Sequence, residues 1–289
     1  MAKKPTQHQD VGTTGHSWDG IEELNTPLPR WWLWTFYACI VWGLYYVVAY
    51  PAWPLLKEAT PGLLGFSTRG EVAQDIAEFE ARQAPMNTKL VSAELTAIAD
   101  DAELVGYANS AGAAVFKTWC AQCHGSGADG AVGYPSLIDD DWLWGGDIES
   151  IHTTITVGVR QPTDDDYLRQ SEMPAFGKDE LLESEQIDQV VNYVMSLSGE
   201  PKDATMIAEG AVVFEENCAS CHGESGEGDI DQGAPALADA IWLYGGSYDA
   251  IRESVYNARY GAMPAWANRL SEAEIRAVAT YVHTRGGGQ

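Results

Sequence analysis

Apolar positions along this chain change their spacing three times. Residues 31–50, WWLWTFYACIVWGLYYVVAY, form one apolar run without charge or proline. As a helix it is about 30 Å long, the thickness of a hydrocarbon core. Trp31, Trp32 and Trp34 crowd one end and Tyr45, Tyr46, Tyr50 and Trp53 the other, the placement of interfacial belts. Pro29 precedes the run, and Pro51 and Pro54 stop it. The long polar lead and the following Pro-Ala-Trp-Pro do not suit a cleaved signal peptide, so the pattern predicts one uncleaved anchor. Ahead of it, Trp18, Ile21 and Leu24 recur at spacings of three with Asp19, Glu22 and Glu23 off that face, which predicts a short amphipathic helix. Its acidic polar face suits a protein surface better than a membrane surface. Far downstream, Ile187, Val190, Val191 and Val194, and again Ile275, Val278, Ala279 and Val282, have helical spacing. Ser271 with Glu274 offers the second of these helices a capping box.

The two helical patterns belong to a repeat. GAAVFKTWCAQCHG (112–125) matches GAVVFEENCASCHG (210–223) at an offset of 98, and WLWGGDIESI (142–151) matches WLYGGSYDAI (242–251) at 100. EMPAFG (172–177) matches AMPAWA (262–267) at 90, and QIDQVVNYVMSLSG (186–199) matches EIRAVATYVHTRGG (274–287) at 88. The drift places an insertion in the first copy around RQPTDDDYLRQS and a shorter one after the second Cys-x-x-Cys-His. A tandem duplication of a small helical domain follows, with a linker near 198–205.

Four of the five cysteines sit in the repeated Cys-x-x-Cys-His: Cys120, Cys123 and His124, then Cys218, Cys221 and His222. This spacing lets two sulfurs capture the vinyl groups of one porphyrin while the adjacent imidazole meets the iron, the signature of c-type haem. A redox dithiol needs no following histidine, and a zinc site needs further ligands. Two covalent haems are therefore expected, each filling a core too small and too loop-rich to stand alone. Cys39 lies in the apolar run and is assigned no chemistry.

Met173 and Met263 occupy equivalent places downstream of the histidines, each followed by Pro-Ala-aromatic, and are the candidate second axial ligands. His152 is the main competitor at the first haem, but its counterpart is Arg252. Met195 and Met206 have no matched methionine and read as packing. Pro135 and Pro235 follow the two histidines by eleven and thirteen residues, and each presents a carbonyl able to hold an imidazole N–H. Trp142 and Trp242, also paired, are expected to wall the haem pockets.

Charge adds a direction. The net charge is −25, yet residues 1–57 hold four basic and four acidic residues, so all of it lies in 58–289. Such a surface repels nucleic acid and attracts a basic protein. Arg30, Lys3 and Lys4 against Lys57 favour an N-terminus inside and residues 58–289 outside, the side on which haem c is attached.

From about residue 105 onward the chain resembles class I cytochrome c domains in tandem. HSWDGIEELNTPLPRWW (16–32), opening into one span and leading to two such domains, resembles the dihaem subunit III of cbb3-type cytochrome c oxidases. The resemblance implies an all-α fold: residues 1–30 cytoplasmic, 31–54 a transmembrane helix, 55–104 a connecting segment, and cytochrome c domains at 105–199 and 200–289. It implies covalent attachment at Cys120, Cys123, Cys218 and Cys221, with axial pairs His124/Met173 and His222/Met263. It further implies a bacterial inner-membrane location with periplasmic haem domains, bound to the haem–copper catalytic subunit and to a monohaem cytochrome subunit, contacting lipid, and fed by a basic cytochrome c. No residue of this chain is expected to be catalytic. Two other classes remain at this stage, a free membrane-tethered dihaem shuttle and a dihaem peroxidase. The paired methionines disfavour the peroxidase, and the patterned N-terminal stretch disfavours the shuttle.

Overall fold

The computed structural model describes residues 11–161 and 169–286. Lys3 and Lys4, and most of the insertion expected around RQPTDDDYLRQS, lie outside the described residues. The chain forms two compact units, one up to Ala81 and one from Arg82 onward.

In the first unit the expected amphipathic helix is instead a hairpin, so the fold is mostly helical and not all-α. Strands β1 (Thr13–Trp18) and β2 (Ile21–Leu24) pair antiparallel, with Trp18 opposite Ile21 and Ser17 opposite Glu22. The cause is Asp19-Gly20, whose φ of 50° and 84° put both residues in the left-handed region. A two-residue turn of this kind matches the twist of paired strands, and Asp-Gly is among its preferred sequences. Side chains alternate along a strand, so Ile21 and Leu24 point to opposite faces and the three-residue stripe dissolves.

Helix α1 (Arg30–Ala49) begins directly after Pro29 and has a mean hydropathy of 1.4 in its apolar window. Its apolar side chains are almost all exposed, among them Trp34 at 72% and Val41 at 67%, as a lipid-facing helix requires. The chain then turns back. Gly62, at φ 71°, lies so close to the helix end that a Cβ would stand 2.5 Å from Ala49 O. The amides of Leu63 and Leu64 thereby reach Val48 O and Ala49 O, both at 3.0 Å, and satisfy two terminal carbonyls.

Helix α2 (Thr68–Ser92) occupies much of the connecting segment and carries Pro85 in its interior. Proline has no amide to give the carbonyl four residues back, here Ala81, where one unit gives way to the next. The second half of α2 is anchored in the second unit: Leu90 is fully buried, and Asn87 Oδ1 accepts from the Tyr107 hydroxyl at 2.7 Å.

The second unit contains α3 (Ala102–Val115), a π-turn (Phe116–Cys120), α4 (Ala121–His124), α5 (Ile148–Val157) and α6 (Ser184–Ser198). It continues with α7 (Ile207–Asn217), α8 (Ala219–His222), α9 (Tyr248–Asn257) and α10 (Glu272–His283). Equivalent helices start on equivalent caps: Asp147 accepts from Ser150 N at 2.8 Å, and Ser247 from Ala250 N at 3.3 Å. The capping box Ser271/Glu274 is formed.

Packing between the repeats is crossed. Helix α3 lies against α10, and α7 against α6; α5 also packs on α10, and α9 on α6. Each crossing uses a glycine. A Cβ at Gly112 would meet Ala277 O at 2.2 Å, and one at Gly210 would meet Gln189 O at 2.2 Å. Beside each glycine an aromatic pair closes the contact, Phe116 with Tyr281 at 5.5 Å and Phe214 with Tyr193 at 5.1 Å. The opening helix of the first repeat thus takes the closing helix of the second, and the reverse. Two cores result. One gathers Phe116, Ile148, Ile151 and Ile155 with Trp266, Ile275, Val278 and Val282. The other gathers Phe214, Ile251 and Val255 with Phe176, Ile187, Val190, Val191 and Val194.

Candidate haem-binding sites

In each core a Cys-x-x-Cys-His turn closes the end of an opening helix, and the loop after it returns to hold the histidine. His124 Nδ1 lies 2.9 Å from Pro135 O, and His222 Nδ1 lies 2.9 Å from Pro235 O. Further bonds fix those loops, Gly130 N to His124 O at 2.9 Å and Gly228 N to His222 O at 2.8 Å. With Nδ1 occupied, Nε2 is the nitrogen left to bind a metal, and the carbonyl fixes the ring's orientation. Burial pushes both imidazoles below the ordinary histidine value, with the prolyl carbonyl opposing, so the rings stay neutral and able to ligate.

All five cysteines are free. Burial, and secondarily the neighbouring cysteine, pushes the Cys120 and Cys218 thiols up to about 11. A dithiol redox couple runs on a lowered thiol pKa, and neither Cys120 nor Cys218 has one. Among the described residues no group of three His, Cys, Asp or Glu side chains converges as a zinc set would.

The methionines follow the crossed helices. Met263 packs on the core that holds Cys120 and Trp142, and Met173 on the core that holds Cys218 and Trp242. The structure therefore brings Met263, not Met173, to the body of His124. The reason lies in the backbone: Val159, just after α5, exchanges both amide–carbonyl bonds with Met263 at 2.9 and 3.1 Å. Equivalent bonds lock the next residues, Trp266 N to Ile155 O and Phe176 N to Val255 O, both 3.1 Å. His152 is not gathered into this set; its Nε2 lies 3.1 Å from Glu272 Oε1. Met206 sulfur accepts from Asn192 Nδ2 at 3.6 Å, and Met195 packs in the second core. Trp142 and Trp242 lie flat on Gly146 and Gly246, where a Cβ would stand 2.5 and 2.7 Å from the indole Cδ1.

Two free thiols, one oriented imidazole and one thioether per core form the donor set a covalently bound, six-coordinate haem requires. Two features escaped the sequence reading. Asp141 is pushed up to about 6, by burial first and then by Asp239, Asp139 and Asp140. Arg160 reaches carbonyls in both methionine loops, at 2.9 and 2.6 Å; its only sequence signal is that it adjoins the insertion.

An apolar anchor followed by two such donor sets defines a membrane-attached c-type cytochrome. Residues 10–57 match the N-terminal domain of cytochrome oxidase-cbb3, FixP; residues 110–198 match cytochrome c; residues 205–282 match cytochrome c oxidase, cbb3-type, subunit III. The chain is 60% identical to the cbb3-type cytochrome c oxidase subunit CcoP of Cereibacter sphaeroides over 100% of both chains. It is 57% identical to CcoP of Rhodobacter capsulatus, again over 100% of both. It is 50% identical to the FixP subunit of Sinorhizobium medicae over 96% of both. The chain belongs to the CcoP/FixP family of cbb3-type oxidase subunits, electron-transfer cytochromes that bind haem c and sit in the membrane with the other oxidase subunits.

Proposed function

We propose that this chain carries two covalent haems c and relays electrons from a basic cytochrome c donor to the oxidase's monohaem cytochrome and haem–copper subunits. Bound haem supplies a one-electron iron couple; the protein supplies attachment, axial ligands and a dry, oriented pocket. Cys120 and Cys123 hold one haem, and Cys218 and Cys221 the other. His124 pairs with Met263 and His222 with Met173, so each iron takes one ligand from each repeat. Pro135 and Pro235 orient the proximal rings, and Trp142 and Trp242 wall the pockets. Thioether ligation favours the reduced iron and raises both potentials, which suits a relay. Arg30 at the start of α1 supports a cytoplasmic N-terminus, with the haem bodies in the periplasm.

The observation that carries this reading is the recurrence, in both cores, of a histidine fixed through Nδ1 together with a methionine from the other repeat. It is tested on the purified oxidase complex. Intact mass of the chain should exceed the polypeptide by two haems, and haem stain should survive denaturing electrophoresis. Complexes in which Cys218 and Cys221 are both replaced by alanine should keep one haem and lose oxidation of added cytochrome c. Full cytochrome c oxidation by that single-haem complex refutes the relay.

A further inference from the structure

One guanidinium meets both methionine loops. Arg160 Nε donates to Ser171 O at 2.9 Å, and Arg160 Nη1 donates to Gly261 O at 2.6 Å. Ser171 and Gly261 are equivalent residues of the two repeats, each two positions before a methionine, Met173 or Met263. Nothing in the repeat requires a shared partner, since each loop is already bonded to its own core. The arginine itself is held in a demanding conformation. Its φ is 52°, a left-handed backbone for a branchless but bulky side chain, and its amide donates to Arg169 O at 2.9 Å. Its neighbour Val159 is bridged to Met263.

We propose that Arg160 is a positioning residue for both haem irons at once, a clamp that ties the placement of one axial thioether to that of the other. The proposal rests on the assignment of Met263 and Met173 as ligands. A planar guanidinium presents its donors at a fixed separation, and bonds from a charged donor are among the strongest a carbonyl accepts. The two carbonyls are therefore held at a set distance from each other. A shift of one loop is transmitted to the second through this side chain. An amide at the same position cannot span both carbonyls. An ammonium keeps the charge but not the fork.

The test uses the full chain within the oxidase complex. The near-infrared methionine-to-iron band and the two midpoint potentials are read for Arg160→Gln, Arg160→Lys, Met173→Leu, Met263→Leu and Arg252→Gln. The last variant breaks the Arg252 bonds to Asp188 and to Ser184 between α9 and α6, which belong to one core. Each methionine variant should remove one share of the band. Arg160→Gln should keep both covalent haems, weaken both shares of the band and move both potentials downward together. Arg160→Lys should do the same to a smaller extent, and it serves if the glutamine chain fails to accumulate. Arg252→Gln should move at most one potential. A shift at a single haem in the Arg160 variants, or none, overturns the clamp while leaving the ligand assignment standing. Paired shifts in Arg252→Gln overturn it as well, because general loosening then suffices. If the methionine variants leave the band intact, the ligand assignment fails and the clamp falls with it.

Discussion

Asp141 shows how far a single residue's behaviour depends on neighbours remote in sequence. It is half-buried, and burial together with Asp239, Asp139 and Asp140 pushes its carboxyl up to about 6. A carboxyl with a raised folded-state pKa binds its proton more tightly in the folded chain than in the unfolded one. Its stabilising contribution is complete below the unfolded value near 3.8 and is lost as pH rises through about 6. Asp141→Asn should therefore raise the melting temperature at pH 7 and leave it unchanged near pH 3.5. Equal effects at both pH values would show that its charge is not the cause. The register of Pro135 with Pro235 is legible in the sequence because both copies carry it. The strain at Asp141 is not legible, since Asp239 lies in the other repeat and its counterpart is Asp139.

At the scale of elements, periodicity is informative where an element has one buried face. The closing helices α6 and α10 bury the apolar positions their spacing marks, Ile187, Val190, Val191 and Val194, and Ile275, Val278, Ala279 and Val282. Periodicity misleads at residues 13–24, where both strands are exposed and an Asp-Gly turn decides the structure. It also cannot say which helix meets which. Similar repeats have similar complementary faces, so α3 fits α6 or α10 by pattern alone, and in the structure it meets α10. Gly112 and Gly210 mark the resulting crossings. Gly112→Ala and Gly210→Ala should each destabilise the protein by about 1–3 kcal/mol, because the added methyl meets a backbone carbonyl that cannot rotate away. Thermal melts of the two variants check this. Wild-type stability in both would mean that the helices do not approach so closely.

For the molecule as a whole, charge and connectivity set function. The −25 charge resides in residues 58–289, away from the anchor and its lead. Reduction by a basic cytochrome c should be fast at low salt and slow steeply as ionic strength rises, because attraction between exposed charges is screened beyond about 10 Å at 0.1 M. Stopped-flow rates across a salt series measure it, and a flat series would point to apolar docking of the donor. Connectivity makes the stronger claim, that each iron is ligated by both repeats. Tandem domains predict His124 with Met173, whereas the crossed cores predict His124 with Met263. The direct measurement starts from a chain with Cys218 and Cys221 replaced by alanine, which leaves only the haem at Cys120 and Cys123. To this chain Met173→Leu or Met263→Leu is added, and the methionine-to-iron band of the oxidised protein is recorded. Crossed ligation predicts that the band is abolished by Met263→Leu and survives Met173→Leu; loss of the band with Met173→Leu and its survival with Met263→Leu would contradict it.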